Sequence, residues 1–423
     1  MSGPGTRTAV RTAEQPEEIQ ADVCVVGAGI AGFAAATTLA DLGRSVVLVD
    51  AMPVVGGQCV NSLIGLFCGV YGTGPDYPLL TRTVYEDLFA DLEPSGALSW
   101  RYGETLCVQY DEVAVGRWME RQLADRDVTL ALGSAVDAVD SEDGRVARVH
   151  LVSRHGRLTV RAGAYVDASG DASLTWLADL PCHVPDGPIY GSQQFRLGGV
   201  VEDAVPSKAE VSEALRRHGE EYGVVRREGI PFVFPGTGRA VINMTHVVTP
   251  LGTLASSRAQ TDGRDQADRV AQFLREVFPD AFGDSRVLAY GVLGRRQTRW
   301  ISGLHTLTDE DVAAGTRFED AVARTAWPIE LHDRPERHRW EVFDPGHLHY
   351  VPLRSMIPVG ARNLVAAGRC VDGEPAALSS VRVMGPCAAM GAGAAHAVDL
   401  ADGGDVSAVD LTALADRVRA NVR

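Results

Sequence analysis

The first fifty residues contain two apolar runs, separated by a glycine-rich turn and an alanine-rich segment. The apolar run at residues 21–26 predicts a buried strand, and the spacing at residues 33–42 predicts a helix that ends at Gly43. Residues 45–49 predict a second strand, which ends on Asp50. Because strand, helix and strand in this order are typical of parallel sheets, the start of the chain predicts an α/β fold.

The same periodicities predict the later elements. Helices are predicted at residues 113–124, 267–277 and 387–400, and strands at residues 128–132, 146–152, 157–160 and 363–367. The second and third of these strands flank a short turn, which predicts an antiparallel hairpin. No internal repeat is visible.

Composition adds an excess of glycine to this pattern. Glycine supplies 45 of the 423 residues, about 11%, against roughly 7% in average proteins. Ten of these glycines lie between Gly27 and Gly74, and six lie between Gly360 and Gly393. Because glycine allows a ligand to approach the backbone closely, both regions are candidate binding segments.

The turn between the first strand and the first helix reads G-A-G-I-A-G, from Gly27 to Gly32. Its glycines permit a tight turn, the approach of a pyrophosphate and close packing of the helix. The helix N-terminus offers N–H groups to phosphates, and Asp50 can accept hydrogen bonds from ribose hydroxyls. A chance glycine-rich turn is the alternative, but the order of the parts favours a dinucleotide site. The acid at Asp50 favours FAD or NAD over NADP, because it repels a 2′-phosphate.

Several segments resemble those of one flavoprotein class. After Asp50, residues 51–59 read A-M-P-V-V-G-G-Q-C, which resembles the second phosphate-side loop of flavoproteins with two dinucleotide-binding motifs. The other matching segments lie at residues 165–172, 195–200, 294–299, 350–358, 363–370 and 380–384. Over residues 21–400 the chain resembles the FAD-dependent oxidoreductase family, which is related to fumarate-reductase-like and glutathione-reductase-like flavoproteins.

This resemblance implies an α/β fold with a Rossmann-type FAD-binding domain, a parallel sheet and a β-meander, plus an inserted α+β substrate domain. We expect the FAD-binding domain at residues 21–185 and 345–423, the substrate domain at residues 186–344 and a flexible tail at residues 1–20. The residues expected to contact FAD are Gly27, Ala28, Gly29, Ile30, Ala31, Gly32, Asp50, Ala51, Gly56, Gly57, Gln58, Ala135, Val136, Ala168, Ser169, Gly170, Gly368, Arg369, Arg382 and Val383. No second G-x-G-x-x-G follows a strand, so a separate pyridine-nucleotide domain is not expected.

Two groups of side chains are candidates for the chemistry. Arg296, which lies between Arg295 and Arg299, can anchor a substrate carboxylate, or it can form structural ion pairs. The resemblance places His349, Tyr350 and Arg354 near the flavin, where His349 can act as a base or have a structural role. Gln193, Gln194 and His332 are weaker pocket candidates. Two nearby histidines without acids at ligand spacing do not predict a metal site.

The cysteines leave a third alternative open. Cys59 and Cys68 follow the Gly-Gly loop, but eight residues separate them, whereas four separate the redox pair of disulfide-reductase flavoenzymes. Two small core residues are therefore favoured over a dithiol mechanism. The seven cysteines contain no C-x-x-C pair, which argues against a zinc ribbon and favours reduced thiols in the cytoplasm.

These observations favour an FAD-dependent dehydrogenase or oxidase that transfers a hydride from a small organic substrate to flavin N5. The alternatives are a flavin-dependent monooxygenase and a non-catalytic flavoprotein. The net charge of −15 argues against nucleic acid or anionic membrane as a partner. We expect no membrane span, no signal peptide and therefore a cytoplasmic protein, which can form a homo-oligomer. Composition weakly favours bacterial specialised metabolism.

Overall fold

The computed structural model describes residues 17–423. Residues 1–16 of the predicted tail at residues 1–20 therefore lie outside the described residues. Residues 17–20 are not a tail, because they begin the first strand and pair in parallel with residues 158–161. Their polar sequence shows no apolar run, since this part of the strand is largely exposed.

The strands lie at β1 Glu17–Val26, β2 Val46–Asp50, β3 Leu66–Phe67, β4 Leu98–Arg101, β5 Cys107–Tyr110, β6 Thr129–Leu132, β7 Ser134–Glu142, β8 Arg145–Ser153, β9 Gly156–Asp167, β10 Cys182–His183, β11 Phe195–Gly198, β12 Ile230–Phe234, β13 Arg239–Asn243, β14 Arg286–Tyr290, β15 Trp300–Ile301, β16 Ala321–Thr325, β17 Ile329–Leu331, β18 Arg339–Glu341, β19 His349–Pro352 and β20 Leu364–Ala366.

The helices lie at α1 Ile30–Asp41, α2 Gly57–Asn61, α3 Tyr85–Leu92, α4 Glu112–Asp125, α5 Ser173–Leu177, α6 Lys208–His218, α7 Thr253–Val277, α8 Pro279–Phe282, α9 Asp309–Ala314, α10 Pro375–Val381, α11 Met384–Ala401, α12 Leu411–Arg417 and α13 Arg419–Val422. Among residues 17–423, no helix has both the length and the apolar character needed to cross a membrane.

The central sheet has the strand order β6-β2-β1-β9-β8-β7, and β20 also pairs with β9. The pairs β1–β2, β1–β9, β2–β6 and β20–β9 are parallel, whereas β7, β8 and β9 form an antiparallel meander. The predicted α/β class with a parallel sheet and a meander is confirmed. Strand β20 belongs to the C-terminal part of the chain, and it joins the central sheet by pairing with β9.

Helices α1 and α11 pack against each other beside this sheet. A Cβ atom on Gly391 of α11 would lie only 2.0 Å from the carbonyl oxygen of Ala31 in α1. The alanines and glycines of both helices are almost all buried. Their small side chains therefore let the two backbones approach closely. The N-termini of both helices lie near the carboxyl edge of the sheet.

A second core lies under an antiparallel sheet with the order β12-β13-β11-β14. Helices α6 and α7 cover this sheet, and α7 begins at Thr253 instead of the predicted residue 267. The first half of α7 buries only Ala259 and Gly263, so it lacks the apolar spacing on which the prediction depended. These elements all fall within residues 186–344, the predicted substrate domain.

Candidate active site

A cavity of about 750 Å³ opens where the central parallel strands end. Its wall includes Gly27 after β1, Asp50 at the end of β2, Ala168 after β9 and Gly368 after β20. Open α/β sheets bind their ligands at this carboxyl edge. The predicted cofactor residues that line the cavity are Gly27, Gly29, Ile30, Ala31, Asp50, Ala51, Gly57, Gln58, Ala168, Ser169, Gly170, Gly368, Arg369, Arg382 and Val383.

The glycine-rich turn has room for an added atom where it faces the cavity, and none where the helix packs against the strand. A Cβ on Gly32 would lie 1.7 Å from the Gly27 carbonyl oxygen, whereas a Cβ on Gly29 would meet no atom closer than 3.9 Å. Gly29 is also the N-cap of α1, and no side chain caps its N–H groups. The open space at Gly29 and the uncapped helix N-terminus together fit the pyrophosphate of a dinucleotide.

Asp50 and the Gly-Gly loop complete this end of the cavity. The Asp50 carboxylate accepts hydrogen bonds from the N–H of Ala28 at 2.6 Å and of Met52 at 2.7 Å. Burial raises the pKa of Asp50. Each carboxylate oxygen retains a lone pair for a ribose hydroxyl. The donor set therefore fits the ribose and phosphates of FAD.

The opposite end of the cavity is formed by the N-terminus of α11. Val383 caps this helix without a side-chain hydrogen bond, and Val383 and Met384 both line the cavity. Arg369 is held by Asp171 at 2.8 Å and by Thr298 Oγ1 at 3.0 Å. An uncapped helix N-terminus places partial positive charge at this end, which suits the pyrimidine edge of a reduced flavin.

Five predicted cofactor residues do not line the cavity. Ala28, Gly32 and Gly56 lie behind its surface, where they shape the two loops. Ala135 and Val136 lie on β7, which leaves the parallel strands and pairs only with β8. Gly133, with a φ of 66°, turns the chain from β6 into β7, and its N–H donates to the Met52 carbonyl at 2.9 Å.

Fold and cavity define a dinucleotide-binding oxidoreductase of the α/β class. The chain belongs to the FAD dependent oxidoreductase family, whose model matches residues 22–420. It is therefore an enzyme, and FAD is its cofactor.

Known proteins share parts of this chain or its fold. Ferredoxin–NADP reductase 2 of Cupriavidus pinatubonensis is 30% identical over 187 residues, which cover 39% of this chain and 46% of the relative. The chain thus spans about half the length of the curated relatives it matches. A p-nitrophenol 4-monooxygenase from Pseudomonas putida is 12% identical, with a TM-score of 0.49 and coverage of 96% of this chain and 82% of that chain. A geranylgeranyl bacteriochlorophyll reductase-like protein from Thermoplasma acidophilum is 14% identical, with a TM-score of 0.48 and coverage of 91% and 78%.

Of the predicted catalytic residues, only Arg296 lines the cavity. It is buried and donates to the Tyr190 carbonyl at 2.6 Å and to Ser192 Oγ at 2.9 Å. A guanidinium has five N–H groups, so three have no partner within residues 17–423. Burial lowers the pKa of Arg296 well below its usual value, although a guanidinium stays protonated in proteins.

Arg226 and Arg382 line the same part of the cavity as Arg296. Arg226 is buried, and its nearest carboxylate is Glu228 at 3.8 Å, which also pairs with His338. Arg382 donates to the backbone carbonyl of Glu330 at 3.1 Å. Within the described chain, neither Arg296 nor Arg382 has a carboxylate oxygen within 4 Å. We call Arg226, Arg296 and Arg382 the arginine cluster; the sequence offered no signal for Arg226.

A chain of hydrogen bonds joins this region to two histidines. His246 Nδ1 lies 2.8 Å from the Pro335 carbonyl, His246 Nε2 lies 2.8 Å from His332 Nδ1, and His332 Nε2 lies 3.0 Å from Glu330 Oε1. Burial lowers the pKa of His246 to about 2 and that of His332 well below its usual value.

These contacts lead from the Pro335 carbonyl to the cavity, because Glu330 lines its wall. The Glu330 carboxylate is therefore within reach of a ligand as a hydrogen-bond acceptor. Sequence reasoning missed Glu330, whose neighbours in the chain form no motif.

His349, Tyr350 and Arg354 are not brought to the cavity. His349 Nε2 donates to Ser380 Oγ at 2.7 Å, and burial lowers the pKa of His349 to about 3. Arg354 pairs with Asp320 at 3.0 Å and is 48% exposed. Tyr350 is buried beneath the Arg317 guanidinium. Strand β19 pairs with β16, and none of the three residues is among those that line the cavity, so the prediction that they face the flavin is not supported.

The buried His349 makes stability sensitive to acid. Below pH 6.5 the unfolded chain binds a proton that the folded chain, with its pKa of about 3, does not. Lowering the pH from 6.5 to 5.5 should therefore cost the wild type about 1 kcal/mol more than His349→Gln. Urea denaturation at both pH values measures this difference. The exposed His183→Gln should behave as wild type, and equal losses in wild type and His349→Gln would contradict the buried neutral state.

The cysteines adopt a pairing that differs from the one considered above. Cys59 is buried, its pKa is raised by burial to about 12, and its carbonyl accepts the Tyr110 hydroxyl at 2.7 Å. Cys68 instead lies against Cys107, with 3.8 Å between the two Sγ atoms. Among residues 17–423, no three His, Cys, Asp or Glu side chains form a group that could hold a metal ion.

Proposed function

We propose that the protein is an FAD-dependent dehydrogenase or oxidase that oxidises a small organic anion by hydride transfer to flavin N5. The arginine cluster supports this proposal. Three guanidinium groups line the cavity, and within residues 17–423 only Arg226 has a carboxylate oxygen within 4 Å. Because buried charge is costly without a partner, this region suits a ligand that supplies a carboxylate or a similar anion.

The lining residues give each end of the cavity a role. Bound FAD supplies the two-electron acceptor. Gly29, Asp50 and Gly57 would hold its phosphates and ribose, and the N-terminus of α11 would face its ring. Arg296 would bind the substrate anion with its remaining N–H groups, which fixes the orientation of the C–H bond to be broken.

Glu330 would accept the substrate's proton. Oxidation of a C–H bond beside a hydroxyl or amino group releases one proton as well as a hydride. The Glu330 carboxylate would take up this proton, and His332 Nε2, 3.0 Å from Glu330 Oε1, would orient the carboxylate. Arg226, Arg296 and Glu330 all belong to residues 186–344, which supports the assignment of that segment as the substrate domain.

Anaerobic flavin bleaching tests this function. We expect the visible band of the holoprotein to bleach with at least one member of a panel of small 2-hydroxy and 2-amino carboxylates. The amide of that compound, which lacks the charge, should bleach it at least about tenfold more slowly. Bleaching by NADPH alone, with no carboxylate active, would contradict the proposal and favour a monooxygenase.

Glu330→Gln separates the proton step from binding. This variant keeps the shape of the side chain but cannot accept a proton from the substrate. We expect its bleaching rate at saturating substrate to fall by roughly 10²-fold or more, with the substrate Kd nearly unchanged. A change in Kd alone would assign Glu330 to binding instead.

A further inference from the structure

The pair Cys68 and Cys107 lies between the part of the cavity assigned to the flavin ring and the loop at residues 102–105. Both residues line the cavity, and their Sγ atoms are 3.8 Å apart. Cys107 is buried and Cys68 is partly exposed. Their sequence separation of 39 residues is the reason why chain spacing did not associate them.

Strand register places the two backbones at a distance suited to a disulfide. Leu66 pairs with Gln109 and Phe67 with Val108 across β3 and β5. Continued by one residue beyond the end of β3, this register opposes Cys68 and Cys107, in agreement with the 3.8 Å between their Sγ atoms. Because the Tyr110 N–H donates to the Gly65 carbonyl at 3.0 Å, alternation makes the cysteines a non-hydrogen-bonded pair. Opposed Cα atoms of such pairs lie about 4.5 Å apart, within the range of roughly 4.4–6.8 Å that disulfides span.

The backbone of Cys68 is fixed to the helix end that would face the flavin. The Cys68 carbonyl accepts from the Gly385 N–H at 2.9 Å, in the first turn of α11. A Cβ on the next residue, Gly69, would lie 2.5 Å from the side chain of Val383, the N-cap of that helix. Cys68 therefore stands beside the part of the cavity assigned to the flavin ring.

The loop before Cys107 leads from the pair towards solvent. This loop, residues 102–105, lines the outer part of the cavity, and Tyr102 is 71% exposed. Arg101 is the cross-strand partner of Cys107 on β4. The hydrogen bond from Cys68 lowers the pKa of Cys107, and the Arg101 charge acts in the same direction. Cys107 is thus the more acidic thiol of the pair, and Cys68 is the more exposed one.

We propose that Cys68 and Cys107 form a redox-active dithiol/disulfide pair that exchanges two electrons with the bound FAD. In the disulfide form, the S–S bond breaks, two S–H groups form, and reduced flavin is returned to its oxidised state with loss of two electrons and two protons. The dithiol is reoxidised by a protein or small-molecule disulfide, which is reduced to two thiols through a mixed disulfide with one thiol of the pair. This pair would carry electrons out of the site, beyond the substrate oxidation proposed above.

Reductive titration tests the pair without any organic substrate, so its failure is distinct from failure of the proposed function. The holoprotein is oxidised with diamide, desalted and titrated anaerobically with dithionite while the flavin band is followed. Wild type should take up about four electrons per FAD, two for the flavin and two for the disulfide. Cys107→Ser should take up about two, and Cys182→Ser, which changes a partly exposed cysteine outside the cavity lining, should take up about four.

Peptide mapping gives an independent readout. After diamide and N-ethylmaleimide, digestion of wild type should yield a peptide that links Cys68 to Cys107, and dithiothreitol should abolish it. Uptake of about two electrons by wild type, or alkylation of both thiols after diamide, would overturn the proposal. Both measurements on wild type decide the question even where Cys107→Ser fails to fold.

Discussion

Gly32→Ala is expected to lose about 3 kcal/mol of folding free energy and to be purified without flavin, whereas Gly29→Ala is expected to fold normally and bind FAD weakly. A Cβ on Gly32 would lie 1.7 Å from the Gly27 carbonyl oxygen, so α1 must move away from β1. A Cβ on Gly29 meets nothing closer than 3.9 Å, and the φ of −73° there suits any residue. That Cβ instead occupies the space into which the pyrophosphate would fit.

Urea denaturation of the apoproteins and a titration with FAD separate the two effects. Gly29→Ala should unfold at the same urea concentration as wild type, while its Kd for FAD rises at least about tenfold, or roughly 1.4 kcal/mol. Gly187→Ala serves as the control, because a Cβ there meets no atom within 4 Å. Wild-type FAD affinity in Gly29→Ala would show that the phosphates lie elsewhere.

The contrast between these two glycines shows which parts of the site the sequence could predict. The turn from Gly27 to Gly32 and the acid at Asp50 belong to one βαβ unit, whose geometry depends on neighbouring residues. Backbone conformation and backbone N–H groups form this part of the site, so the spacing of the glycines and the acid was sufficient to predict that it lines the cavity.

The rest of the site depends on contacts between distant segments. Arg226 and Glu330 line the cavity with Arg296 because segments distant in the chain fold together, and neither lies in a motif. Strand β19 could not be placed for a different reason. All four of its residues are buried, so the alternation of apolar and polar residues does not indicate which side chain faces the cavity. His349 was therefore a candidate base, although its Nε2 is hydrogen-bonded to Ser380 Oγ. Cys107 was missed since only strand register brings it to Cys68.

Arg296 and Arg354 were both candidates in the sequence, and their substitution should now separate them. With the carboxylate that bleaches the flavin, Arg296→Ala should reduce kcat/KM about 100-fold or more, mainly through KM. Removal of one partner from a buried, hydrogen-bonded charge pair costs roughly 2–5 kcal/mol, and 1.4 kcal/mol corresponds to tenfold. Arg354→Ala should change kcat/KM less than about twofold, because its side chain pairs with Asp320 and is 48% exposed.

The same pair of variants distinguishes substrate binding from cofactor binding. If Arg296 holds the substrate anion, Arg296→Ala should retain the visible flavin spectrum and the Kd for FAD, and the uncharged amide should react equally with wild type and variant. Loss of flavin from Arg296→Ala would instead assign the residue to the cofactor. Equal kcat/KM losses in Arg296→Ala and Arg354→Ala would mean that the arginine cluster does not recognise the substrate. The amide comparison is decisive, since it removes the charge from the ligand while the protein's own hydrogen bonds to Tyr190 and Ser192 stay in place.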